Sequence, residues 1–133
     1  MMNPKNTDEE ILNEFHNNTI LWNSMIGYME TEILFINRLL NSNVFKDTTP
    51  NLFEKLQAFK HEIKTKTRET TNFKKEIHEY GDALKGILEC QDISCDTFFL
   101  ENHAALKNRF EEFYTRFNDY KTRVFNYTGG VLK

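Results

Sequence analysis

Along three long stretches of this chain, apolar residues return at alternating steps of four and three, with glycine and proline nearly absent between them. That spacing keeps one stripe of side chains on one side of an α-helix, so each stretch must bury a seam against a partner. The last stretch is the cleanest, with Phe99, His103, Leu106, Phe110, Phe113, Phe117, Tyr120, Val124 and Tyr127 on the stripe. The middle stretch runs from Leu52 through Leu56, Phe59, Ile63, Lys66, Thr70, Phe73, Ile77, Tyr80 and Leu84 to Ile87. The first carries Ile11, Phe15, Asn18, Trp22, Met25, Met29, Glu32, Ile36 and Leu39, and beside it a second row of Leu12, Thr19, Ile26, Ile33 and Leu40. Two adjacent rows widen the buried face, so the first helix touches two neighbours.

Local signals predict where the helices stop. Thr7 and Glu10 have capping-box spacing and predict a start near residue 8. Thr49 before Pro50 predicts a second start at 50, because proline lacks only an N–H that has no partner in the first turn. Ser94 or Asp96 can cap a third helix, and Gly129-Gly130 can end it in a left-handed conformation. Helices over about 8–42, 50–88 and 97–127 follow. Joined by short loops, with 41–48 as the first, they predict an all-α, elongated, antiparallel up-down-up three-helix bundle with coiled-coil-like packing in one domain spanning 1–133. With 39% hydrophobic residues, including 12 Phe and 5 Tyr, the chain can fill such a narrow core without a disulfide.

Composition restricts the function classes. A net charge of −3 argues against nucleic acid as the main partner. Acidic residues gather on the first helix and basic ones in the middle of the second, which predicts that the two lie side by side, with Lys66 facing Glu32 inside. The run from Phe15 to Met29 carries no charged residue but is broken by His16, Asn17, Asn18 and Asn23, so no membrane span is expected. Nothing resembles a signal peptide, and a cytoplasmic location is the expectation. There Cys90 and Cys95, whose spacing would permit a disulfide, are more often free thiols.

No glycine-rich phosphate loop, nucleophile elbow or Ser/His/Asp spacing is present, so neither an enzyme nor a cofactor is expected. The alternative is a metal held between helices in the manner of hemerythrin-like or ferritin-like bundles, with His16, His78 and His103 near one end. Only His103 lies on a seam, and there is no Glu-x-x-His or His-x-x-x-His pair. A core-edge histidine bonded to a neighbour is therefore the simpler expectation. Four polar seam members, Asn18, Glu32, Lys66 and Thr70, are expected to set register or oligomeric state. Leu34, Phe35, Tyr114 and Phe125 lie off the seams, leaving apolar surface for a protein partner or a second copy, a dimer being the simplest.

Three blocks, YMETEILFINRLL at 28–40, FKHEI with FKKEI within 59–77, and NHAALKNRFEEFYTRF at 102–117, resemble an uncharacterised family of short all-helical bacterial proteins. The resemblance implies a small cytoplasmic three-helix protein. It brings no established activity, so no functional residue is carried over from it.

Overall fold

The computed structural model describes residues 4–87 and 93–133, with side chains over 10–86 and 100–133. Three helices, α1 (Pro4–Leu40), α2 (Leu52–Ile87) and α3 (Ile93–Gly130), form an antiparallel up-down-up bundle. With 37, 36 and 38 residues, each is about 55 Å long at the standard rise. The seams explain the core. Of the last-stretch stripe, His103, Leu106, Phe110, Phe113, Phe117, Tyr120 and Val124 are buried, and Thr19, Ile26, Ile33 and Leu40 of the second α1 row are buried with them. α1 and α2 approach most closely, whereas α3 stands off on the large rings of its own seam.

Helix ends depart from the sequence expectations. The described part of α1 already includes Pro4, four residues before the expected start near residue 8. It stops where the Asn41 amide and Ser42 hydroxyl donate to the carbonyls of Asn37 and Leu39, both at 2.7 Å. α2 begins two residues later than expected. Asn51, at φ 59°, takes the left-handed turn that asparagine tolerates, and its carbonyl accepts the Lys55 N–H at 3.0 Å. Pro50 therefore sits before the helix. The described part of α3 already contains Ser94 and Asp96, and the helix runs through Gly129 and Gly130 with no left-handed glycine. Cys90 lies outside the described residues, as does the side chain of Cys95.

The chain leaves α3 in a different way from a glycine cap. Val131 donates back to the Thr128 carbonyl, and its own carbonyl accepts the Lys46 N–H at 2.8 Å. The Lys133 N–H donates to Val44 at 2.9 Å. The last three residues thus pair with the α1–α2 loop, and Phe45 between them is 2% exposed and plugs that end of the bundle.

A ladder of ion pairs sets the α2–α3 register. Glu62, Glu69 and Glu76 are spaced by seven, as are Arg109, Arg116 and Arg123, and they meet as Glu62–Arg123, Glu69–Arg116 and Glu76–Arg109. In antiparallel helices the two numbers of facing residues have a constant sum, so three rungs specify one alignment. Exposed pairs of this kind contribute little each. Arg123 does most, since its guanidinium also meets Asp119 at 3.3 Å and lies 5.6 Å from the Tyr120 ring centre. Arg123→Ala should cost about 1 kcal/mol by urea unfolding, and part of that difference should vanish at about 1 M NaCl, where screening removes its ionic component.

Candidate functional site

At the end of the bundle away from Phe45, His103 is 4% exposed inside a box of rings. Phe15 stacks on it with ring centres 3.6 Å apart and planes 6° from parallel, Trp22 lies at 5.3 Å and Tyr80 at 5.5 Å. The Asn18 amide nitrogen is 3.0 Å from Nε2 and the Tyr80 hydroxyl 2.6 Å from Nδ1. With Asn18 donating, Nε2 accepts, so the proton of the neutral ring sits on Nδ1 and is donated to Tyr80. Burial, and secondarily the charge of Lys107, hold His103 down at about 4. Burial also raises the Tyr80 phenol above its ordinary range. The cluster is thus a closed, neutral polar contact inside apolar packing.

The other two histidines lie elsewhere. His16 and His78 line a shallow α1–α2 groove of about 150 Å³, with Asp82 and Lys85. The exposed His78 ring meets Asp82 at 3.4 Å. Among the described residues no group of three or more His, Cys, Asp or Glu is placed to hold a metal ion. His103 faces the interior and the other two face solvent, because only His103 occupies a seam position.

The polar seam residues of α1 do not bond to those of α2 among the described residues. Asn18 serves His103, and the Thr70 hydroxyl donates to the Lys66 carbonyl at 2.8 Å within its own helix. Glu32 pairs with Lys121 of α3, not with Lys66 as expected. On α1 it flanks the α3 side, and Lys66 is buried with no ion pair among the described residues. The predicted contact between acidic α1 and basic α2 occurs at Glu30–Lys74, 3.2 Å apart.

The apolar surface is larger than the off-seam residues suggested. Leu34 and Phe35 are exposed, and Phe35 meets the exposed Phe125 ring at 6.3 Å. Tyr114 is half-buried, stacked 6.4 Å from Phe110 and packed on the core. Ile20, Leu21 and Tyr28 join the exposed set. At 100° per residue these α1 positions, with Ser24, Gly27 and Thr31, cover the side of the helix opposite its core. That side of a bundle helix is ordinarily polar. Between Glu14 and Arg38 the only Asp, Glu, Lys or Arg on α1 are Glu30 and Glu32, and both turn to neighbouring helices. The signal was present in the sequence as the charge-free run from Phe15 to Met29 with Leu21, Tyr28 and Phe35 at steps of seven.

No described helix is long and apolar enough to cross a membrane. Compared with protein-family models, curated proteins and solved structures, the chain matches none.

Proposed function

We propose that this chain is a non-enzymatic, cytoplasmic interaction protein that acts by self-association through the apolar outer face of α1 and the adjoining part of α3. One observation carries this reading: Ile20, Leu21, Tyr28, Leu34 and Phe35 expose between 54% and 73% of their surface on the side of α1 that faces away from the core. Large contiguous apolar patches on a soluble bundle mark interaction sites. The arrangement around His103 supports the same view, since its polar atoms are already paired and its box of rings is closed. That geometry suits packing rather than turnover.

Sedimentation equilibrium over a concentration series tests it. Phe35 lies on the exposed face beside Phe125, so Phe35→Ser should weaken assembly by roughly tenfold or more while leaving the helical circular dichroism unchanged. A wild-type chain that stays at the 15.9 kDa monomer mass at every concentration would refute self-association.

A further inference from the structure

The outer face of α1 is symmetric along its own length. One heptad row is Ile20, Gly27, Leu34; the next is Leu21, Tyr28, Phe35. Each row has large apolar residues at both ends and one member in the middle, and the small pair Ser24 and Thr31 lies between the rows. Reversing each row about its own middle residue, Gly27 in one and Tyr28 in the other, exchanges large with large, and Ser24 and Thr31 exchange about the point between those two residues.

This pattern is what a two-fold interface requires, because in such an interface residue i meets j and j meets i. We infer that two copies of this chain pair through α1, antiparallel, about a two-fold axis at Gly27 and Tyr28. On one side of the contact Leu21 meets Phe35 of the second copy and the two Tyr28 rings face each other. On the other side Ile20 meets Leu34 and Gly27 meets Gly27, with Ser24 against Thr31 along the centre. Nothing lies within 4 Å of where a Gly27 side chain would begin, so the glycine leaves open space through which a helix can approach. Thr31 turns its hydroxyl back to the Gly27 carbonyl at 3.1 Å, which keeps that polar group satisfied as water leaves.

Charge and area favour a second copy as the occupant. The face carries no ionised group between Asn17 and Phe35, since Glu30 and Glu32 are engaged by Lys74 and Lys121 at its edges. It therefore has nothing with which to read a charged partner, and its specificity lies in shape. Five large side chains exposing on the order of 100 Å² each give roughly 500 Å² per copy, and the small residues and Phe125 bring this toward the ~800 Å² per partner of a standard interface.

The inference rests on the self-association reading and specifies its geometry, and a charge-swap experiment separates the two. Ile20 and Leu34 are exposed and stand two heptads apart, about 21 Å along one helix, so charges placed there pair only between copies. Sedimentation equilibrium would be run on the wild type, I20K, L34E and the I20K/L34E double variant, with circular dichroism confirming that all are helical. The wild type should form a dimer of twice 15.9 kDa. Each single variant, burying two like charges, should dissociate at least roughly a hundredfold more readily. The double variant should recover to within about tenfold of the wild type, because each Lys then faces a Glu. A dimer indifferent to both single variants would overturn this geometry while self-association through another face survived. Loss in the singles without recovery in the double would overturn the antiparallel register. A monomeric wild type would overturn both readings and leave the face to a helix of another protein.

Discussion

Phe45→Ala should destabilise the fold by about 3–5 kcal/mol, the range for removing a large aromatic side chain from a packed site. Phe45 lies in a loop, where substitutions are usually tolerated, yet it is 2% exposed and is held between the backbone bonds Lys46–Val131 and Lys133–Val44. Its ring is almost wholly buried at this end of the bundle, where a narrow three-helix core otherwise meets water. The loss is a large part of the 5–15 kcal/mol typical of a domain. Hydrogen exchange gives the specific check: the Lys46 and Lys133 amides should lose protection in the variant. Protection equal to wild type, or a cost below about 1 kcal/mol by urea unfolding, would show that the loop contributes no packing.

The second large effect is on acid stability. His103 stays neutral in the fold down to about 4, whereas in the unfolded chain it titrates near 6.5. Between those values the unfolded chain binds a proton that the folded chain does not, so stability falls as pH drops through this window. The loss should reach about 2–3 kcal/mol at pH 4 and then level off as far as this group is concerned. A proton on Nε2 would face the Asn18 amide donor, so the bond between them would break as the ring charged. Carboxylates titrate at the lower edge of the same range, and comparison with His103→Gln separates them: the variant should show a shallower decline between pH 6.5 and 4. An NMR titration of the His103 ring in the native protein is the direct test. A midpoint above 6 would mean that water reaches the ring and would end this account of the aromatic box.

Much of this architecture could be read from periodicity. The stripe from His103 to Val124 is buried as a unit, and the paired rows of α1 do face two neighbours. His103 was identifiable as the interior histidine from its place on that stripe. Other features depended on relations between distant segments. Gly129-Gly130 has the composition of a helix stop, but the tail's bonds to Val44 and Lys46 settle the exit instead. Thr49-Pro50 reads as a cap, yet Asn51 takes the turn that starts α2. The rungs of the Glu–Arg ladder are each visible as a repeat of seven, but their pairing exists only once α2 and α3 are aligned. Glu32 illustrates the limit most simply. It borders the α1 seam, and whether it meets Lys66 or Lys121 depends on which helix lies on that side and how near it comes.

Periodicity alone tells which residues of each helix turn inward, because it is a local property fixed by 3.6 residues per turn. What those residues meet came from the packing of the helices on one another: the ring box around His103, the burial of Phe45, the partner of Glu32, and the apolar face of α1 that no described helix covers. Contacts between helices depend on their spacing, rotation and alignment, which the packing of all three sets together.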